Sequence, residues 1–357
     1  MDAEVKILSG QNESLFPLDA IIKVEDLHTY FYTDLGIIRA LNGVSYSVPA
    51  GKVLGVVGES GCGKSITALS IMQLVPHPGR TIHGKVFLRT GEVGHEVVEV
   101  TALKRNSAEM RHLRGGKIGM IFQEPMTSLN PAYTIGNQII EAILLHQNVD
   151  KKEAEARAVT MLEKVGMPNP SNVIRRYPHE LSGGMRQRVM IGIALSCNPA
   201  VLIADEPTTA LDVTTEAQIL DLMRELQADL GMTTMLITHN LGVVAQMCDN
   251  AVVMYLGRIV EQSSVDDLFY EPYHPYTKAL LHSIPHVGSR TKSRLEPIQG
   301  MVPDPYASIR GCAFHPRCDY SKPGICDKRV PALTHITDNH SVRCFLFSDQ
   351  GENESGT

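Results

Sequence analysis

No run of eighteen apolar residues occurs in this 357-residue chain, so no segment of it reads as a membrane-crossing helix. An excess of positive charge is also missing. The 33 Lys and Arg residues are outnumbered by 39 Asp and Glu, the net charge is −6, and both signs are mixed along the chain. That balance argues against a dedicated nucleic-acid binder, which carries a basic face. The first residues, Met1-Asp-Ala-Glu, show no basic stretch followed by an apolar one. This predicts a chain without a secretory signal that stays in the cytoplasm. No repeat of solenoid type recurs. The seven cysteines include no closely spaced pair of the kind that marks structural zinc sites. Three are scattered (Cys62, Cys197 and Cys248) and four fall late: Cys312, Cys318, Cys326 and Cys344. In a reducing compartment a late cluster points to metal or cofactor ligation more than to disulfides.

What the chain does contain is a length sufficient for two or more structural units and an ordinary hydrophobic content of 43%. Its most informative stretch is Gly58-Glu59-Ser60-Gly61-Cys62-Gly63-Lys64-Ser65. It follows the apolar run Val53–Val57 and precedes a helix-like run from Ile66 to Met72. A strand, a glycine-rich turn ending in Gly-Lys-Ser, and a helix form the P-loop pattern. The glycines permit backbone angles that aim N–H groups inward at phosphate oxygens. The helix start adds free donors and the positive end of its dipole. Lys64 is placed to reach the β- and γ-phosphates, and the Ser65 hydroxyl to ligate Mg²⁺.

Asp205-Glu206 follow Ala200–Ala204, a continuous apolar run typical of a central parallel strand. Carboxylates at that strand end belong beside the ligand crevice of an open α/β sheet. Asp205 is placed to hold Mg²⁺, and Glu206 to orient and polarise an attacking water. Ser182-Gly183-Gly184 open a further helix, with Ser182 as cap and bare backbone behind it, a second place for an anion. Gln123 follows the strand Ile118–Phe122, and His239 follows the strand Thr233–Thr238, so both emerge at strand ends.

The wider pattern predicts an α/β fold with a mainly parallel sheet. Short β-type runs (Ile21–Val24, Val44–Val48 and Lys85–Leu88) surround the P-loop. Apolar residues recur at helical spacing after Ile135 and again after Ala154, the latter with Asp150 as N-cap and Gly166 as stop. A helix from about Thr215 ends at Gly231, and a hairpin turns through Gly257-Arg258. After about Val265 proline recurs and periodicity fades, apart from a helical run near Thr277–Ile284. The expected organisation is a flexible extension over 1–20, a nucleotide-binding domain over 21–265, a Cys-containing C-terminal domain over 266–347, and a disordered tail over 348–357.

The order P-loop, Gln123, Leu181-Ser-Gly-Gly-Met185, Asp205-Glu-Pro207, Ala210-Leu-Asp212 and His239 resembles the ATP-binding subunits of ABC transporters. The resemblance runs from Ile21 to about Val265. It implies N-terminal antiparallel strands beside the parallel sheet and a helical subdomain over about 124–181 that touches membrane subunits. It also implies that Ser182-Gly183-Gly184 closes over ATP bound to a second ATPase subunit. Phe31 would stack on adenine, with Tyr30 and Tyr32 as neighbours that could do so instead. Gln123 would sense Mg²⁺ and water, Asp212 would bridge the dimer, and His239 would contact the γ-phosphate. Asn240 and Glu124 stand where the family usually has aspartate, and neither change removes a catalytic group. The late cysteines, together with His274-Pro-Tyr-Thr277, are similar to the C-terminal extension of oligopeptide, dipeptide and nickel importers. Four thiols at irregular spacing suit a [4Fe–4S] cluster, with Zn²⁺ as the alternative and free thiols as the remaining reading. His315, His335 and His340 read as solvated loop residues.

The implied activity is ATP hydrolysis that drives import of short peptides or similar solutes. The implied partners are a paralogous ATPase subunit, two membrane permeases and, indirectly, a solute-binding protein, at the cytoplasmic face of the membrane. A soluble ABC protein acting on nucleic acid or ribosomes is the alternative.

Overall fold

The computed structural model describes residues 16–17, 19–90, 96–124, 128–283 and 298–348. Most of the expected N-terminal extension, Ile284, and the tail after Ser348 lie outside the described residues.

Two sheets share one core. In the first, strands β1 (Ala20–Thr33) and β2 (Gly36–Pro49) pair antiparallel. Strands β4 (Gly79–Arg89) and β5 (Val97–Glu99) extend the β1 side. Its inward residues, among them Ile22, Val24, Val44 and Leu88, pack on helix α1 (Lys64–Ile71) and on Leu54, Val56 and Ile237 of the second sheet.

The second sheet holds β3 (Val53–Val57), β6 (Ile118–Ile121), β7 (Val201–Asp205), β8 (Thr233–Thr238) and β9 (Asn250–Tyr255), all parallel, in the order β9-β3-β8-β7-β6. Every residue of β3, β7 and β8 is buried, because both faces of these strands are covered. This is why they read as unbroken apolar runs and not as alternating ones. Strand β10 (Arg258–Ser264) returns antiparallel along β9, and β12 (His340–Val342) and β11 (Thr334–Thr337) extend that edge. Neither of these last two strands is visible in the sequence, since each is short and half polar.

Helix α2 (Ala108–Gly116) precedes β6, and its Arg and Gly content hides it from periodicity. Helices α3 (Ile135–His146), α4 (Lys151–Lys164), α5 (Pro170–Val173) and α6 (Gly183–Leu195) form a separate stack. Ile139, Ile143, Ala158 and Leu162, which recur at helical spacing, fill its centre together with Val189. Asp150 caps α4 as expected, accepting the Glu153 N–H at 2.8 Å, and Gly166 leaves it with φ +70°. Helix α7 (Val213–Leu230) closes at Gly231, and α8 (Leu241–Met247) follows β8.

The C-terminal region begins with α9 (Val265–Tyr270) and α10 (Pro275–His282). Its ordering comes from the main body: Phe314 and Tyr276 join Val57, Val253 and Tyr255 in a common apolar cluster. His340 departs from the solvated-loop reading. It is buried, with Nε2 2.8 Å from Oε1 of the fully buried Glu261, which also accepts the N–H groups of Tyr273 and His274. A buried carboxylate needs such partners, and three of them converge on this one.

Candidate active site

Strand register sets the site. Val57 pairs with Thr238, Asp205 with Ile237, and Ile121 with Ala204. The P-loop, Glu206, His239 and Gln123 therefore leave the sheet at one level, past the C-terminal strand ends. The P-loop turn takes φ +153° at Gly58, +78° at Gly61 and +104° at Gly63. A Cβ at Gly58 would stand 2.3 Å from the Met254 carbonyl oxygen, and one at Gly63 would stand 2.4 Å from that of Ala40, so both positions exclude a side chain. Lys64 is buried, and its ammonium donates to the Gly58 carbonyl at 2.8 Å and the Glu59 carbonyl at 3.1 Å. A cleft of about 770 Å³ opens over the loop and is lined by Ser60, Gly61, Gly63, Lys64, Ser65 and also by Gln123 and Glu206.

Ser65 Oγ donates to Asp205 Oδ1 at 3.0 Å. Burial raises the pKa of Asp205, the Ser65 hydrogen bond opposes this, and the Glu206 charge adds to it. Glu206 has φ +47°, an uncommon backbone for a residue with a side chain, and its N–H is tied to the Ile237 carbonyl at 2.9 Å. Its Oε2 accepts from Thr209 Oγ1 at 2.9 Å and from Gln123 Nε2 at 3.1 Å, while Oε1 lies 3.1 Å from His239 Nδ1. Burial by itself would raise this carboxyl. Hydrogen bonds from His239 and Thr209, with the charges of His239 and Lys64, outweigh it and hold the pKa below the ordinary value. Thr209 was not legible as a site residue, although a hydroxyl three positions after a strand-end glutamate is a usable signal.

Ser182, Gly183 and Asp212 are exposed and lie away from this cleft. Ser182 caps α6, accepting the Met185 N–H at 3.4 Å, and Asp212 caps α7, accepting the Thr215 N–H at 3.0 Å and hydroxyl at 2.7 Å. Those bonds, the Thr215 hydroxyl first, lower the Asp212 pKa. A Cβ at Gly184 would stand 2.8 Å from Thr215 Cγ2, so the two caps are neighbours on one surface. Asn240 keeps the capping role that aspartate would have, accepting the Gly242 N–H at 2.9 Å.

Three residues expected to bind ATP turn their side chains away from the cleft. Phe31 packs its ring over Gly79 and does not line the cleft. The Cys62 thiol is buried in the apolar core, which raises its pKa. Glu59 directs its N–H to Tyr276 Oη at 2.8 Å and its carboxylate to Arg317.

The expected iron–sulfur cluster, and zinc in its place, are overturned. Cys312, Cys318, Cys326 and Cys344 do line one small pocket with His274 and Phe314. Among the described residues, however, no group of three or more His, Cys, Asp or Glu side chains is arranged to hold a metal ion. The thiols behave as small apolar side chains. Cys326 and Cys344 are buried, and Cys312 and Cys318 pack on the Tyr276–Phe314 cluster. Burial pushes Cys312 up to about 11 and raises Cys318 and Cys344 as well. His274 is equally apolar in its surroundings: burial lowers it to about 3, and its neutral Nδ1 accepts the Tyr276 N–H at 3.0 Å.

Comparison with known proteins agrees with this geometry. The family model described as ABC transporter matches residues 41–209, and that described as oligopeptide/dipeptide transporter, C-terminal region, matches 260–326. The oligopeptide transport ATP-binding protein AppD of Bacillus subtilis is 47% identical over 95% of this chain and 100% of its own length. The dipeptide transport ATP-binding protein DppD of the same organism is 43% identical over 94% and 97%. A probable peptide ABC transporter ATP-binding protein of Sinorhizobium fredii is 48% identical over 93% and 96%. Among solved structures, the ABC transporter cassette MJ0796, determined as a dimer, superposes with a TM-score of 0.59 at 26% identity, covering 69% of this chain and 99% of that one. The same cassette bound to ADP and Pi, described as a post-hydrolysis state, gives 0.59 at 25%. The chain belongs to the family of ABC-transporter ATP-binding subunits with an oligopeptide/dipeptide-type C-terminal region, and is an ABC ATPase.

Proposed function

We propose that the chain is a motor subunit that hydrolyses ATP to drive import of short peptides or related small solutes. One observation carries the reading: Lys64, the Ser65–Asp205 pair and a Glu206 held by Gln123, Thr209 and His239 converge on one cleft at the strand ends. The Lys64 ammonium, now on loop carbonyls, turns to the phosphate oxygens when nucleotide enters. Ser65 and Asp205 present hard oxygen donors side by side, the set that suits Mg²⁺, and with Gln123 they would hold it. Mg²⁺ bound there would neutralise charge on the phosphates. Glu206, kept ionised by its hydrogen bonds, orients the attacking water and accepts its proton. His239 and Gln123 hold the carboxylate toward the γ-phosphate.

The second half of each site comes from a second ATPase subunit, a paralogue in this reading, whose counterpart of Ser182-Gly183-Gly184 covers the phosphate while Asp212 bridges the pair. Exposure of that surface supports this arrangement, as does the dimeric cassette among the structural relatives. The helices between Gln123 and Ser182 meet two permease subunits, with a solute-binding protein beyond them. No helix among the described residues is long and apolar enough to cross a membrane, which fits a peripheral place at the cytoplasmic face. Relatives described as transport proteins favour import over the nucleic-acid or ribosome alternative. The test is Glu206→Gln in the assembled transporter. ATP binding stays within a few-fold of the parent while turnover falls by about 10²-fold or more. Undiminished turnover would refute the role of Glu206.

A further inference from the structure

Glu59 is attached to the C-terminal region through both its backbone and its side chain. Its N–H donates to Tyr276 Oη at 2.8 Å. Its carboxylate receives a bidentate pair from Arg317, Nη1 to Oε2 at 2.7 Å and Nη2 to Oε1 at 3.1 Å. Its carbonyl accepts from the Lys64 ammonium at 3.1 Å. One loop residue thus joins the phosphate-binding lysine to two side chains more than 200 positions away in sequence.

Both side chains are themselves fixed. The Arg317 side chain is 4% exposed, and its Nε donates to the Gln299 carbonyl at 2.9 Å and its Nη1 to Tyr255 Oη at 3.3 Å. The Tyr276 ring lies 4.7 Å from that of Tyr255 and 5.3 Å from that of Phe314, closed in an aromatic box beneath the loop. The loop needs such support, because Gly58, Gly61 and Gly63 bring no side chains to hold their left-handed backbone.

We propose that Tyr276 and Arg317 are positioning residues that pre-form the P-loop through Glu59, so that the C-terminal region sets the affinity of the cleft for ATP. The proposal rests on the ATPase reading above. A loop that occupies its binding geometry only part of the time binds nucleotide more weakly by that fraction. Glu206, Gln123 and His239 stand on other elements, so chemistry in the bound state is untouched. The signature is a raised KM for ATP at constant kcat. Coupling is reciprocal, so bound nucleotide must also steady the 312–318 segment that carries Arg317.

The experiment uses the full-length chain in its transporter and two variants, Tyr276→Phe and Arg317→Lys. The first deletes a single oxygen, and the second keeps the charge but loses the fork. Each is expected to raise the KM for ATP by about fivefold or more with kcat within about twofold. In the parent, a non-hydrolysable ATP analogue slows amide exchange over 312–318, and in Tyr276→Phe this protection shrinks. Should Arg317→Lys fail to fold, Tyr276→Phe decides alone. A KM for Tyr276→Phe within about twofold of the parent, even with a lowered Tm, overturns the proposal, because a purely structural support predicts that result. A parent that neither binds nor hydrolyses ATP would instead refute the ATPase reading itself.

Discussion

Glu206 owes its charge to its neighbours. Burial pushes its carboxyl upward, yet the Thr209 hydroxyl and the His239 ring bring it below the ordinary glutamate value. A group with a depressed pKa is deprotonated above that value, so it works as a base at neutral pH and is lost only as the medium turns acid. Thr209→Val removes one of the stabilising bonds. The acid limb of the kcat profile should therefore move toward neutral pH, while the KM for ATP stays near that of the parent. An acid limb that does not move would show that Thr209 leaves the base untouched. Glu206, His239, Gln123, Lys64 and Asp205 were all legible in sequence, because each follows a recognisable strand or sits in a fixed motif. Thr209 was passed over, since its one mark is its place three positions after a strand-end glutamate. The link from Glu59 to Arg317 was invisible for a different reason: nothing local couples residues so far apart. Phe31 was chosen from the family resemblance and its spacing after Leu27, and neither says toward which side of β1 a ring turns.

Among the elements, the P-loop tolerates little change. Gly58 combines φ +153° with a Met254 carbonyl oxygen 2.3 Å from where a Cβ would sit. Gly58→Ala must shift either the loop or β9, and displaced N–H groups no longer point at one anion. The expected result is ATP binding weakened by about tenfold or more, measurable by titration calorimetry, at a cost of a few kcal/mol in stability. Near-parental affinity would mean that the loop has other usable conformations. Strands β3, β7 and β8 and helices α3 and α4 were readable because complete burial and 3.6-residue spacing leave strong patterns. Strands β1 and β2 run 14 residues each, well past their apolar runs, because hairpin pairing carries half-buried polar residues along. Strands β11 and β12 are set by the edge of β10, a partner that the local sequence does not display.

At the scale of the whole molecule, the C-terminal region is built into the ATPase body. It shares an apolar cluster with the sheet, extends that sheet by two strands and grips the P-loop. Convergence of the four late cysteines on one pocket follows their clustering in sequence, but their chemistry does not. Thiol count suggested ligation, whereas the thiols pack as apolar side chains and form no metal-holding group among the described residues. On the opposite theme, Ser182, Gly183, Asp212 and the 82% exposed Val213 form a surface that the chain leaves uncovered beside two helix starts. A second ATPase subunit is the proposed occupant. The most direct measurement is a structure of the Glu206→Gln transporter trapped with ATP and Mg²⁺. The expected result is the Ser182 hydroxyl and the following N–H groups at about 3 Å from the γ-phosphate held by the P-loop of a second ATPase subunit. A Ser182 helix tip that faces solvent, or the phosphate of its own chain, would contradict it.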